Sequence, residues 1–307
     1  MVRRFVLSLV LLVALVACGA STYQTAPYDV SRWARHLATV DGFQLHYDVV
    51  STPSGVEGGE GKPVLFLHGY SSFLNMWYPT AVGLGPGYRA ILVDLPGHGL
   101  SDRREADYSP QGVAATLWKL MDQLGEGTIA VVGHSWGASV ALAMALQRPG
   151  RVSKLALVDG WVYEEQNNTF MDWAQVHGVG EALYGAFYDQ QAELRYMMAF
   201  AEPEKWVDQD VLDPMLRMME RFPGAKAAGL AVVRALGRLP EQEPRYRTVT
   251  QPALLVWCRE DQVSLPHYGE RLASELPGAR YEVIPQCGHL APIEQTPRFV
   301  LLLRSFL

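Results

Sequence analysis

The chain has 307 residues, 49% of them hydrophobic and 19% charged, with a formal net charge of −6. These are ordinary values for a globular protein, and the length allows a sizeable core, so stability requires no disulfide framework or structural metal. No basic cluster stands out beyond Arg103-Arg104 and the Arg245/Arg247 pair, which disfavours nucleic acid as a partner.

Met1-Val2-Arg3-Arg4 is a basic start, and Phe5 to Ala17 is an apolar run interrupted only by Ser8. That run suits a signal-peptide core and is short for a membrane-spanning helix. It ends in Leu15-Val16-Ala17-Cys18, which resembles the bacterial lipobox. The resemblance implies a signal peptide over 1–17, lipidation of Cys18, and export to the cell envelope with the membrane as a partner. Gly19 after the cysteine then implies the outer membrane in a Gram-negative host. The rival reading is an ordinary leader cut after Ala20. Removing the leader also removes Arg3 and Arg4, leaving the mature chain more acidic. Residues 18–35, with Ser21, Thr22, Gln24, Thr25 and Pro27, read as a tether.

Leu37 to Val50 reads as two strands around the Asp41-Gly42 turn. Residues 51–62 form a glycine-rich loop. Pro63 to Leu67 is a continuous apolar run, as a strand buried on both faces should be, and Tyr88 to Val93 is the next buried strand. Ser109 and Pro110 start a helix running through Leu124. Thr128 to Val132 is a further strand, leading into Gly133-His134-Ser135-Trp136-Gly137 and then a small-residue helix, Ala138 to Gln147. Strand, Gly-x-Ser-x-Gly and helix in succession make the context in which a serine is raised on a strained turn. Gly133 and Gly137 lack the Cβ atoms that would collide there. Val152 to Val158 is the next strand.

Residues 162–247 break the alternation with a helical, Trp-, Tyr- and Met-rich insertion. It resumes with a strand at Pro252 to Trp257, a helix at Tyr268 to Leu276, a strand at Arg280 to Ile284 and a helix at Pro297 to Leu307. The pattern predicts an α/β core over 36–161 and 248–307, with a mainly parallel sheet and a cap at its carboxyl edge, where such sheets bind ligands.

A serine nucleophile needs a base, and the base needs an orienting group. Asp261 lies just beyond the strand Pro252 to Trp257, and His289 just beyond the last strand, both on the edge that carries Ser135. With the segments LFLHGY, DLPGHGLSD, GHSWGA, WCREDQVSLP and QCGHLAPIEQTP in place, the chain resembles an α/β-hydrolase of the capped, esterase-like branch. The resemblance covers about residues 37 to 307 outside the insertion. It implies an eight-stranded, mostly parallel sheet with Ser135 as nucleophile, His289 as base and later acid, and Asp261 holding the imidazole. It also implies an oxyanion hole from the backbone N–H groups of Tyr70 and Trp136, worth about 2–4 kcal/mol per donor in comparable sites. No cofactor is implied. Cys258 departs from the family, which usually has glycine there.

Plainer readings compete at each position. Asp159 also ends a strand and is the rival acid; Glu260 is a decoy expected to face solvent. His68 and His98 are expected to bond backbone, and His134 to serve packing. His36, His46, His177 and His267 have no spacing that suggests a metal, and there is no Cys/His cluster. About a quarter of the insertion's aromatic and Met side chains are expected to meet substrate. Cys258 and Cys287 follow strands that should be neighbours, so they form either a disulfide beside the site or two inert thiols, the thiols being the expected state.

The expected activity is hydrolysis of a carboxylic ester of a fairly hydrophobic small molecule through an acyl-enzyme. A C–C bond hydrolase shares the same residues. A proline-releasing aminopeptidase would need acidic groups in the cap, for which Glu164, Glu165, Glu181 and Glu202 are candidates. A non-catalytic surface-binding lipoprotein has no need of all three groups. Epoxide hydrolases and haloalkane dehalogenases use Asp where this chain has Ser135.

Overall fold

The computed structural model describes residues 36–51, 61–206 and 224–307, with backbone alone over 189–197. The leader, Cys18, the tether, most of the glycine-rich loop and residues 207–223 of the insertion lie outside the described residues.

Eight strands form one sheet in the order β1-β2-β4-β3-β5-β6-β7-β8. They are β1 (His36–Val40), β2 (Phe43–Ser51), β3 (Lys62–Leu67), β4 (Tyr88–Val93), β5 (Ile129–His134), β6 (Val152–Val158), β7 (Ala253–Cys258) and β8 (Arg280–Ile284). The hairpin β1–β2 closes on Asp41 and Gly42, both at positive φ, as an Asp-Gly hairpin turn requires. β2 is antiparallel to both of its neighbours, and all other pairings are parallel.

The central parts of the parallel strands are apolar because helices cover both faces, while charged residues such as Lys62, Arg89 and Arg280 sit at their starts. Leu65, Ile91, Val131, Leu155 and Leu255 point to one face. There they meet α2 (Pro110–Gln123) and α3 (Trp136–Gln147). Phe66, Leu92, Val132, Ala156 and Val256 point to the other. That face is covered by α1 (Tyr78–Leu84) and the last helix, Thr296–Phe306. Ser109 caps α2 by accepting a hydrogen bond from Gly112 N at 3.1 Å, with Pro110 at the first helical position, where its missing N–H costs nothing.

Between β6 and β7 the described elements are all helical. The main ones are α4 (Thr169–Gln175), α5 (Val179–Ala199) and α6 (Ala225–Leu236), joined by a small core of Ala174, Tyr184, Tyr188, Leu230 and Val233. α7 (Pro266–Glu275) and α8 (Thr296–Phe306) complete the fold. Among the described residues no helix is long and apolar enough to cross a membrane.

One element was not read from the sequence, and one reading is corrected. The segment Tyr78–Leu84 is a short helix with Pro79 in its first turn and Gly85 at positive φ just past its end, and it packs on α8 through Gly83, where a Cβ would approach Val300 to 2.8 Å. Cys258 and Cys287 are bonded, not inert thiols. β7 and β8 are paired neighbours, and the cysteines' Cα atoms lie 5.3 Å apart, within the reach of a disulfide.

Candidate active site

β5 is buried along its whole length and ends at His134; α3 begins at Trp136. Ser135 makes the turn alone, at φ 51° and ψ −121°, a conformation that costs a non-glycine residue about 1–3 kcal/mol. The surroundings hold it there. Ser135 N donates to Val158 O at 2.9 Å, and Ser135 O accepts from Ala138 N and Trp161 N at 2.9 and 3.0 Å. A Cβ on Gly133 would stand 2.3 Å from Gly137 O, and one on Gly137 would stand 2.5 Å from Leu67 O. The two glycines are therefore needed for close approach, and neither has a positive φ.

Asp261 follows β7 and His289 follows β8, and the structure brings them together. His289 Nδ1 and Asp261 Oδ2 are 2.8 Å apart, and the carboxylate's other oxygen accepts from Val263 N and Ser264 N at 2.7 and 2.9 Å. A carboxylate only accepts, so Nδ1 carries the hydrogen and Nε2 is left as the basic nitrogen. Both side chains are buried, at 6% and 0% exposure. Burial pushes the His289 pKa down to about 3, so the imidazole is neutral at pH 7. Burial likewise raises the Asp261 pKa, and the two backbone donors oppose that rise by bonding the anion.

Ser135, His289, Tyr70 and Trp136 all line one cavity of about 440 Å³. Trp136 is the first residue of α3, so its N–H belongs to the helix's first turn, where amides lack an intrahelical acceptor. Gly69 packs against the elbow, where a Cβ would lie 2.9 Å from that of Ser135, and this places the Tyr70 backbone beside the serine. The walls are mostly apolar, with Met76, Trp161, Phe170, Leu236, Leu265 and Ile293 among them. Of the insertion's aromatic and Met residues, Phe170, Met171, Tyr184 and Met198 reach the cavity, as does Trp161 just before it; the side chains of Met197, Met215, Met218 and Met219 lie outside the described set.

The competing residues have other partners. Asp159 is buried at the end of β6, and its Oδ1 accepts from Cys258 N at 2.7 Å, not from an imidazole. Burial, then the nearby Asp261 charge, raise its pKa well above the ordinary carboxylate value. Glu260 is exposed. His68 bonds Gly69 O and Leu95 N, and His98 bonds Pro96 O. Glu165 pairs with Arg271 at 2.6 Å, Glu181 with Arg234 at 2.8 Å, and neither they nor Glu164 and Glu202 reach the cavity. Among the described residues no group of His, Cys, Asp and Glu could hold a metal ion.

Three ties escaped the sequence reading. His134 Nε2 bonds the backbone oxygen of His289 at 2.7 Å. Glu294 bridges the His289 loop and the end of α5, its two oxygens accepting from Gly288 N at 2.8 Å and Ala201 N at 2.9 Å. The hydroxyls of Tyr70 and Tyr184 meet at 2.9 Å, joining the Gly69-Tyr70 loop to α5. Each links residues far apart in the chain, and no local pattern announces such a pair.

Comparison with known proteins agrees with this fold. The model of the family described as "Alpha/beta hydrolase family" matches residues 64–301. A 2-hydroxy-6-oxononadienedioate/2-hydroxy-6-oxononatrienedioate hydrolase of Paraburkholderia phymatum is 32% identical over 302 residues, covering 92% of this chain and 98% of the relative. Among solved structures, a meta-cleavage product hydrolase from Pseudomonas fluorescens superposes with a TM-score of 0.75 at 24% identity, covering 89% of this chain and 97% of the other. A thermophilic esterase from Thermogutta terrifontis does so with 0.70 at 23% identity, covering 88% and 96%; these two likenesses speak for the fold. With a buried strand, a strained serine and a bonded His–Asp pair at one sheet edge, and a family model spanning most of its length, this chain is an enzyme belonging to the α/β hydrolase family.

Proposed function

We propose that the enzyme is a serine hydrolase acting on neutral, fairly hydrophobic carboxylic esters. Ser135 Oγ attacks the acyl carbonyl while His289 Nε2 takes its proton. The oxyanion that forms is held by Tyr70 N–H and Trp136 N–H. Collapse expels the alcohol, protonated by His289. Water then repeats the sequence on the acyl-enzyme, releasing the acid and restoring Ser135. Asp261 keeps the imidazole in the working tautomer, and residues 162–247 form the cap that sets the substrate range.

The observation that carries the substrate class is the cavity wall. It contains no Asp, Glu, Lys or Arg among the described residues, and its polar groups are neutral: Gln166, Asn168, Gln262 and the hydroxyls of Tyr70, Tyr184 and Tyr268. An ionised substrate would be desolvated there with no countercharge. The same wall speaks against a free-amine substrate, which would need a carboxylate.

The full-length identity to a dienedioate hydrolase favours C–C bond hydrolysis as the second reading. A dioate carries two carboxyl groups, for which the described wall offers no cation. A fluorophosphonate probe followed by p-nitrophenyl esters of graded chain length, a vinylogous keto-dienoate and aminoacyl anilides tests the choice. Labelling at Ser135 with ester turnover is expected. An unlabelled Ser135 overturns the serine mechanism, and dienoate cleavage without ester cleavage selects the second reading.

We further read Cys18 as the acylated first residue of a lipoprotein of the cell envelope. The basic start, the length of the apolar run and the terminal cysteine support this. Cys18→Ser should release the protein from the membrane fraction; membrane retention of the variant refutes the reading.

A further inference from the structure

The pairing of β7 with β8 runs only as far as Cys258 opposite Ile284. Beyond that register the ladder no longer dictates how the two loops sit, yet the loops carry Asp261 and His289. The Cys258–Cys287 disulfide crosses between them at this point, three residues before the acid and two before the base. Both cysteines are fully buried. The noncovalent ties alongside are modest: Arg259 N to Ile284 O at 2.8 Å, Glu260 N to Cys287 O at 3.3 Å, and Cys287 N to the exposed Glu260 carboxylate at 3.3 Å.

We infer that Cys258 and Cys287 are positioning residues that act through Asp261 and His289. Their bond extends the sheet's register covalently into the two loops and keeps the 2.8 Å contact between Nδ1 and Oδ2 aligned. Misplacement of a reacting group by about 1 Å can cost on the order of 100-fold in rate, so a splint so close to both members bears directly on turnover. The inference rests on the serine hydrolase reading.

It also ties maturation to an oxidising compartment. Two thiols become one disulfide by exchange with a protein disulfide, which accepts two electrons and two protons and leaves as a dithiol. Once closed, the bond is shielded from small thiols by its burial. An enzyme matured in a reducing compartment would keep both thiols and the looser pair.

The test compares oxidised wild type with the Cys258→Ser/Cys287→Ser and Cys258→Ala/Cys287→Ala variants, assayed well below their melting temperatures. The expected result is a kcat at least tenfold lower with KM within twofold, and an equal loss in the rate of fluorophosphonate labelling of Ser135. The acid limb of kcat/KM should move up toward the ordinary histidine value as the loosened imidazole meets water. Lower thermal stability with unchanged kcat, labelling rate and pH profile would make the disulfide a stability staple and overturn the inference.

If neither variant folds, wild type refolded with its thiols kept reduced is compared with wild type refolded in glutathione disulfide until mass spectrometry shows the bond closed, with circular dichroism as the fold control. A higher kcat in the closed form supports the inference, and an equal kcat overturns it. Two free thiols by mass spectrometry in exported protein would also overturn it. Failure of the oxidised wild type to label at Ser135 is a separate outcome, which removes the hydrolase reading and this inference with it.

Discussion

His134 and His289 are joined side chain to backbone: Nε2 of the residue just before Ser135 bonds the carbonyl oxygen of the proposed base at 2.7 Å, with the two rings 4.8 Å apart. The carbonyl can only accept, so Nε2 carries the hydrogen and Nδ1 is the bare nitrogen. Burial holds the His134 pKa well below its ordinary value, so it stays neutral beside the neutral His289. The elbow and the base loop, 155 residues apart in the chain, are thereby held as one unit.

Replacing His134 tests that coupling. His134→Phe keeps an aromatic ring but leaves the His289 carbonyl without its donor, which should cost about 1–3 kcal/mol of stability and lower kcat by letting the His289 loop shift. His134→Gln retains an N–H donor and should recover most of the loss. Steady-state kcat and KM for both variants check this, and equal losses in the two would assign His134 to packing alone.

The choice between the two buried aspartates is decided by their partners. Asp261→Asn replaces the acceptor facing His289 Nδ1, favours the wrong tautomer and should lower kcat by about 10³–10⁴-fold. Asp159→Asn keeps an oxygen for Cys258 N and should change kcat by less than about fivefold. The reverse ranking would make Asp159 the acid.

The pH dependence of activity follows from the base. His289 acts only when neutral, and burial holds its pKa down to about 3. On the acid side kcat/KM should therefore stay flat down to about pH 6.5, the ordinary histidine value, and fall only below it. A limb at or above that value would show that substrate reaches a solvated imidazole.

Asp159 makes a prediction about stability. Its folded pKa is raised, so the native state binds its proton more tightly than the unfolded state does. That contribution is fully present below the unfolded value of 3.8 and is lost as pH rises through the folded value. Asp159→Asn removes the titration, so its melting temperature relative to wild type should climb from pH 4 to pH 8. Each unit of pKa shift is worth about 1.4 kcal/mol, or on the order of 2–4 °C for a domain of this size. Melting curves at four pH values suffice, and a difference that is constant with pH would refute it.

Much of this could be read before any coordinates. The unbroken apolar run at Pro63 to Leu67 and the apolar stretch Ala90 to Val93 read as buried strands, and Asp41-Gly42 as a tight hairpin turn. The helix Tyr78–Leu84 was hidden because it is only seven residues long with Gly83 inside it, while its stability comes from the α8 side chains it meets. His134 and Glu294 were hidden for a related reason: their partners are backbone groups, which carry no residue identity to search for.

The sequence by itself determined the alternation of strand and helix, the raised serine, and the placing of Asp261 and His289 after strands on the same edge. Those are properties of short segments, set by side-chain period, glycine placement and chain order. Only the tertiary structure decided the strand order, the Cys258–Cys287 bond, the partner of each aspartate and the uncharged lining that the described residues give the cavity at Ser135. Each of these depends on which distant segments are brought within a few ångströms, where burial and hydrogen bonding shift the protonation of groups that, in the isolated chain, would all be solvated alike.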